Sequence, residues 1–91
     1  MSRRFAPISS YAEGSIPMPV RKTTRSAGYD LAAAEQMELA PGCVTLIPTG
    51  LKAYMEADEV LLIYIRSSLA ASQGLLLANG VGVIDADYAD N

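Results

Sequence analysis

Residues 79–88, Asn-Gly-Val-Gly-Val-Ile-Asp-Ala-Asp-Tyr, contain the side chains best suited to chemistry. Two glycines open the stretch, so the backbone can turn tightly and a planar ligand can lie against bare main chain. Val83-Ile84 then predicts a short buried strand that holds Asp85 at its end. A carboxylate anchored in this way, with the ring of Tyr88 three residues later, is suited to act as a general base beside a ring-binding wall.

Two interpretations without catalysis explain some of the same residues. A β-hairpin whose Asp and Asn side chains cap a turn fits the local pattern and stays open. Asp85, Asp87 and Asp90 are also spaced like part of a helix–loop–helix calcium loop. That loop requires Gly at its sixth position, where this sequence has Asp90, so we set calcium aside.

Two further candidates lie outside this stretch. Arg66-Ser67-Ser68 follows a long apolar run, and a guanidinium fork with two hydroxyls makes a good phosphate cradle. A strand end with a serine cap and an exposed arginine explains the same residues. Asp30 follows a Gly-Tyr pair and can orient a hydrated metal ion; the alternative is a carboxylate in a turn.

The composition narrows the chemistry that is available. The chain has 91 residues, 51% of them hydrophobic, which predicts one small globular domain. No apolar run approaches the length of a membrane helix, and nothing apolar follows Met1-Ser-Arg-Arg as in a secretory signal. Cys43 is the single cysteine and histidine is absent, so an internal disulfide and a Cys/His zinc site are excluded. Any acid–base chemistry near neutral pH therefore requires a carboxylate or a tyrosine. The single cysteine fits a reducing, cytoplasmic setting.

Charge is distributed unevenly along the sequence. Residues 1–26 contain five Lys and Arg side chains against Glu13 alone, whereas residues 27–91 contain two against nine carboxylates. A basic arm on an acidic body can bind nucleic acid or pack on a neighbouring subunit. Because the only aromatic residues among the basic ones are Phe5 and Tyr11, we favour the neighbouring subunit and expect no nucleic-acid partner.

Short apolar runs separated by Gly, Pro and acidic turns are typical of an all-β sandwich or barrel. The run at 60–65 is apolar at every position, which predicts a central strand buried from both sides. Residues 27–34 are interpreted as a strand or bulge, and one helical turn is expected near 68–72. The remaining predicted elements are a strand at 3–9, an irregular connection at 10–26, a turn at Pro41-Gly42, strands at 43–48, 51–55 and 75–77, and an acidic turn at 56–59.

Taken together, three motifs resemble the first three motifs of the trimeric deoxyuridine triphosphatase (dUTPase) family, in the family's order. They are Ala27-Gly28-Tyr29-Asp30-Leu31, Arg66-Ser67-Ser68 and residues 79–88; Pro48-Thr49-Gly50-Leu51 is similar to the family's strand between the first two. The resemblance covers residues 5–88. It implies a distorted β jelly roll, or β-clip, incomplete in this chain, which forms a homotrimer with shared active sites. It also implies magnesium-dependent hydrolysis of dUTP to dUMP and pyrophosphate, with no membrane partner.

The resemblance assigns a role to each candidate in residues 79–88. Asp85 corresponds to the base that aligns and activates water against the α-phosphorus. Tyr88 corresponds to the ring under the deoxyribose, which leaves no room for a 2′-hydroxyl. Asn79 and the backbone around Gly82 correspond to the groups that recognise uracil.

The phosphate and metal roles fall on the other two motifs. Arg66, Ser67 and Ser68 correspond to phosphate contacts from the neighbouring part of the shared site. Asp30 corresponds to the residue bonded to the water shell of Mg²⁺.

The sequence departs from the family after Tyr88. The family usually continues with Arg-Gly, whereas this chain has Ala89-Asp90-Asn91, and the fourth and fifth motifs are absent. We therefore expect residues 1–91 to form a single partial domain, with an N-terminal strand and loop at 1–26 and core strands at 27–91. It corresponds to about two thirds of a family member by domain size, and we expect it to have little activity alone. Three explanations compete: a truncated chain, an interrupted gene, or an ordered or proteolysed fragment.

Three rival functions remain. A dCTP deaminase of the same fold superfamily also contains an Arg-Ser-Ser segment, although the Gly-Val-Ile-Asp-x-x-Tyr arrangement favours dUTPase. A non-catalytic regulator built on the dUTPase fold retains the fold but binds a protein. A catalytically dead β fragment is the third rival.

Overall fold

The computed structural model describes residues 3–88, which fall into two compact units. The N-terminal unit is Arg4–Ala53, and the C-terminal unit comprises Arg3 with residues 54–88. The elements are β1 (Arg4–Pro7), β2 (Leu51–Tyr54), β3 (Val60–Ile63), α1 (Ser67–Gln73) and β4 (Gly82–Asp85). Within residues 3–88, strands outnumber the single short helix, as predicted for an all-β fold. The predicted division of the chain at residue 26 stays a prediction, and Ala89-Asp90-Asn91 lies outside the described residues.

A glycine contact organises the N-terminal unit, in which β1 pairs with β2. The Ile8 N–H donates to the Gly50 carbonyl at 2.8 Å. Ile16, at 6% exposure, is the one buried hydrophobic side chain of the described residues. A Cβ built on Gly50 would lie 2.9 Å from both Ile16 Cδ1 and Tyr11 Cδ2. Gly50 therefore lets Ile16 and Tyr11 close directly against the main chain at the start of β2.

The hydroxyl end of the Tyr11 side chain is held by a hydrogen bond. Its hydroxyl donates to Glu35 Oε2 at 2.7 Å, and this hydrogen bond is the main cause that raises the pKa of Tyr11 above its usual 10.0. The ring is thus fixed over Gly50 between a packing contact and a polar one.

Two predicted turns and one predicted helical turn are confirmed. Pro41-Gly42 forms a type II turn, since the Cys43 N–H donates to the Ala40 carbonyl at 3.2 Å and Gly42 has a φ of 76°. The acidic turn at 56–59 is closed by a 3.0 Å bond from the Glu59 N–H to the Glu56 carbonyl. The helical turn near 68–72 is confirmed as α1.

The predicted strand at 43–48 is wrong. The segment has no strand pairing among the described residues, and Leu46 is 89% exposed. Its two ends are held by single backbone bonds: the Cys43 N–H donates to the Ala40 carbonyl, and the Pro48 carbonyl accepts the Ala34 N–H at 2.8 Å. A β-branched run becomes a strand only when a neighbouring chain supplies a ladder of hydrogen bonds. Residues 27–34, likewise, form no strand but a single bridge between Asp30 and Val20.

The predicted strand at 75–77 is also wrong, because this segment closes α1. Gly74 ends the helix in the left-handed conformation, with a φ of 67°. Its N–H donates to the Ala70 carbonyl, and the Leu75 N–H donates to the Leu69 carbonyl. These bonds belong to a glycine-based helix C-terminus, so the backbone of Leu75 is not available to a sheet.

In the C-terminal unit, β3 and β4 form an antiparallel pair whose register joins Val60 to Asp85 and Ile63 to Gly82. One face of this pair is half-buried and contains Leu61, Ile63 and Ile84. The opposite face exposes Val60, Leu62 and Val83. The prediction of a strand at 60–65 buried from both sides is therefore wrong in two respects: β3 ends at Ile63, and one of its faces is open.

No helix in the described range 3–88 has the length and hydropathy needed to cross a membrane. Cys43 is an exposed free thiol.

The contact at Gly50 leads to a stability prediction. Gly50→Ala adds a methyl group against Ile16 and Tyr11 at a positive φ, so we expect a loss of about 2–4 kcal/mol in unfolding free energy. Gly42→Ala is the matched control, because its φ is also positive but no atom lies within 4 Å of the added Cβ. We expect that variant to lose about 1 kcal/mol. Urea unfolding of both variants gives the comparison, and equal losses would show that the packing at Gly50 is unimportant.

Candidate active site

Asp85 is the last residue of β4, and the pairing with β3 fixes its backbone opposite Val60. The turn before β4 explains why the stretch contains two glycines. Gly80 has a φ of 79°, and its N–H donates to the Leu77 carbonyl at 2.9 Å. At Gly82 the reason is packing, because a Cβ there would lie 3.2 Å from the Ile63 Cβ. The strand and the turn predicted for residues 79–88 are thus present, although Val83 is exposed.

An open cleft of about 500 Å³ lies beside Asp85. One wall is the acidic turn after β2, and the other is the chain that leaves β4. The cleft contains three carboxylates, those of Glu59, Asp85 and Asp87, set among small and apolar side chains. Its lining residues are Met55, Ala57, Glu59, Asp85, Ala86 and Asp87.

An ion pair with Arg3 balances the negative charge of one of these three carboxylates, that of Glu59. Arg3 Nε contacts Glu59 Oε2 at 2.7 Å, and the other Glu59 oxygen accepts the Glu56 N–H at 2.8 Å. Arg3 is 78% exposed, so water screens the pair and its main effect is local order. The sequence predicts the acidic turn but not that Glu59 is the residue that pairs with Arg3. No local signal shows which of three neighbouring acids accepts a cation from the N-terminal arm.

The other candidate residues of the C-terminal unit lie at the start of α1, in the turn before β4 and directly after β4. Arg66 is the N-cap residue of α1, without a side-chain capping bond, and the exposed Ser67 and Ser68 begin the helix. Asn79 is exposed in the turn before β4, and its carbonyl accepts the Val81 N–H at 3.0 Å. Tyr88 follows β4 with 63% of its surface exposed.

The strand register separates these candidates into two groups. Arg66, Ser67 and Ser68 follow the end of β3 that pairs with Gly82, and Asn79 precedes Gly82 in the chain. Asp85 ends β4 at the opposite end of the pair, and Tyr88 follows it. The two ends are separated by three residue steps, or roughly 10 Å along the strands. Asp85 is the only one of the predicted site residues that lines the cleft.

Asp30 belongs to the N-terminal unit, where its N–H donates to the Val20 carbonyl at 2.8 Å. Its carboxylate is a hard oxygen donor of the kind that Mg²⁺ prefers. Within residues 3–88, no group of three or more His, Cys, Asp or Glu side chains is arranged to hold a metal ion.

Comparison with known proteins gives one consistent result. The dUTPase family model matches residues 14–91. A deoxyuridine 5′-triphosphate nucleotidohydrolase of Lactococcus lactis is 54% identical over 89 residues, which are 98% of this chain and 59% of that protein. One from Sodalis glossinidius is 49% identical over 76 residues, or 80% of this chain and 50% of the relative. The chain thus spans about half or slightly more of the curated relatives it matches.

A solved structure supports the same relationship. The crystal structure of dUTPase from Streptococcus mutans superimposes with a TM-score of 0.88 at 46% sequence identity. The match covers 97% of this chain and 68% of that one. The fold predicted from the sequence is confirmed by this match, as part of a larger fold.

The contacts of Glu59 predict that its side chain orders the acidic turn at 56–59, which forms one wall of the cleft. Glu59→Ala removes both the ion pair with Arg3 and the acceptor for the Glu56 N–H. We expect the amide of residue 59, which donates to the Glu56 carbonyl, to exchange with solvent about fivefold faster. Asp58→Ala removes a charge from the same turn and leaves these contacts intact, so its exchange should match the unaltered protein. The same acceleration in both variants would show that the ion pair does not order the turn.

Proposed function

The chain belongs to the dUTPase family, and we propose that the protein hydrolyses dUTP to dUMP and pyrophosphate. The observation that supports this most strongly is the position of Asp85 at the end of a paired strand, lining an open cleft. The curated relatives described above are named for dUTP, which favours this substrate over dCTP. Ammonia release from dCTP without pyrophosphate release from dUTP would instead support a deaminase.

In the proposed reaction, Asp85 orients a water molecule and accepts its proton. The water oxygen bonds to the α-phosphorus, the bond from that phosphorus to the bridging oxygen breaks, and pyrophosphate leaves with the electron pair. A base with the strength of a carboxylate is sufficient, because its main task is to hold the water in line. The β3–β4 pairing supports this role by fixing the backbone of Asp85 before any ligand binds.

Residues 79–88 are proposed to select the base and the sugar. The Asn79 side chain and the main chain around Gly82 offer donors and acceptors to uracil. A base with the wrong pattern leaves buried polar groups unpaired, at about 1–3 kcal/mol each. The exposed ring of Tyr88 provides a flat surface for deoxyribose and a steric barrier to a 2′-hydroxyl.

We further propose that the protein is a homotrimer and that Arg66, Ser67 and Ser68 contact the phosphates of a nucleotide bound to a neighbouring subunit. The opposite positions of these residues and Asp85 along the β3–β4 pair support the proposal. So does the large amount of exposed apolar surface: sixteen large hydrophobic side chains of the described residues are exposed. Such surface is normally covered by other protein, which here means a neighbouring subunit or the part of the family fold that the match to this chain does not include.

Asp30 is proposed to bond to a water molecule in the shell of a Mg²⁺ ion carried by the triphosphate. When bound, that ion neutralises charge on the phosphate oxygens. A single carboxylate suffices for this role, in agreement with the donors available. A reducing cytoplasmic compartment, in which Cys43 remains a free thiol, is part of the same proposal.

The proposed role of Asp85 predicts a specific kinetic effect. Asp85→Asn keeps the shape of the side chain but removes the proton acceptor, so we expect kcat for pyrophosphate release to fall at least about 100-fold. KM should change little, because the amide still fits the site. The measurement is steady-state pyrophosphate release from dUTP.

Asp87→Asn is the matched control, since it removes one carboxylate from the same cleft. We expect it to keep kcat within a few-fold of the unaltered protein. Full turnover by Asp85→Asn, or equal losses in the two variants, would exclude Asp85 as the base.

A further inference from the structure

A closed loop precedes Asp30 in the N-terminal unit. Val20 and Asp30 form an isolated antiparallel bridge, with the Asp30 N–H donating to the Val20 carbonyl at 2.8 Å. The chain therefore leaves this point at Val20 and returns to it at Asp30. Whatever orders the residues between them also sets the position of the Asp30 backbone.

The Arg21 side chain folds back into this loop. Its Nη2 atom donates to the Ser26 carbonyl at 2.5 Å and to the Thr24 carbonyl at 3.3 Å. A cation bonded to two carbonyls stabilises a loop more strongly than neutral bonds do, since charge-assisted hydrogen bonds are stronger. Arg21 directly follows Val20, so its contacts join the far side of the loop to the bridge.

The far side of the loop is a small turn with its own bonds. The Ser26 N–H donates to the Thr23 carbonyl at 3.2 Å, and the Thr23 N–H donates to Ser26 Oγ at 2.9 Å. The hydroxyl oxygens of Thr23 and Ser26 lie 3.0 Å apart, and the Arg25 N–H donates to Thr23 Oγ1 at 3.3 Å. Residues 23–26 thus form one ordered piece, and the Arg21 guanidinium is the side chain that ties this piece to the bridge.

We infer that Arg21 is a positioning residue for Asp30. Its guanidinium holds residues 21–26 closed, and the closed loop holds the Asp30 carboxylate in place before nucleotide and Mg²⁺ bind. A loop that is ordered in advance does not lose its conformational freedom on binding, so binding is tighter. The inference rests on the proposed function, in which Asp30 bonds to the magnesium water shell. Arg21 touches neither the nucleotide nor the metal ion in this scheme.

The sequence offers a matched control at the next residue. Lys22 belongs to the same exposed loop and has the same charge, but its side chain forms no hydrogen bond or ion pair with the described residues. Arg21→Gln and Lys22→Gln therefore remove the same charge from the same surface. Only Arg21→Gln removes the bonds that close the loop.

Amide hydrogen exchange tests the structural half of the inference without any activity. In Arg21→Gln we expect the Asp30 and Ser26 amides to exchange about tenfold faster, since the two exposed hydrogen bonds that close the loop are lost. In Lys22→Gln both amides should exchange as in the unaltered protein. The Ile8 amide, bonded to Gly50 in the same unit, should be unchanged in both variants and shows that the fold is intact.

Kinetics test the functional half on the same proteins. Arg21→Gln should raise the Mg²⁺ concentration for half-maximal pyrophosphate release from dUTP, and KM, by about tenfold, with kcat much less affected. Lys22→Gln should change neither value. Faster Asp30 exchange together with an unchanged Mg²⁺ requirement would overturn the inference, because Arg21 would then order the loop without helping Asp30.

Failure of the inference and failure of the proposed function give different results. If the unaltered protein hydrolyses dUTP and Arg21→Gln matches Lys22→Gln in both measurements, the inference is wrong and the proposed function stands. If neither this chain nor a longer protein that contains it releases pyrophosphate from dUTP, the proposed function is wrong, and the role of Arg21 toward Asp30 is wrong with it.

Discussion

The pairing of β3 with β4 determines where each candidate residue of the C-terminal unit lies. Because side chains alternate between the two faces of a strand, a slip of one residue would turn Asp85 to the opposite face. Gly82 protects the register, since its missing side chain lets β4 lie close to Ile63. The same pairing puts Asp85 at one end of the ribbon and the segments that contain Arg66 and Asn79 at the other.

This register is also the main support for the proposal that the site is shared between subunits. The proposed base lines a cleft with Glu59, whereas the proposed phosphate contacts follow the far end of β3. The face of the ribbon that carries Asp85 also exposes the apolar side chains of Val60, Leu62 and Val83. A neighbouring subunit that packs there would supply cover and phosphate contacts together. The proposed shared site therefore rests on this strand pairing, together with the apolar side chains that are exposed beside Asp85.

Features set by neighbours in sequence could be predicted from the sequence, and features set by distant partners could not. The turn at Pro41-Gly42, the acidic turn at 56–59 and the helical turn near 68–72 follow from local residue types. The strand at 43–48 was wrong because a strand depends on a partner that local sequence does not specify. The strand at 75–77 was wrong for a local reason, since Gly74 ends α1 and the Leu75 N–H bonds to the Leu69 carbonyl. The position of Asp85 at a strand end was predicted, but the partners of Glu59 and Arg21 were not, since an exposed charge gives no sign of which atoms it will contact.

Mixing two inactive variants decides whether the site is shared between subunits. Asp85→Asn and Arg66→Gln, each with little activity alone, are unfolded together, refolded as a mixture and assayed for pyrophosphate release from dUTP. If Asp85 of one subunit works with Arg66 of another, about a quarter of the sites in a one-to-one mixture contain both natural residues, and activity returns to that level. If both residues serve a nucleotide on the same subunit, no mixed assembly contains an intact site, and the mixture stays as inactive as its components.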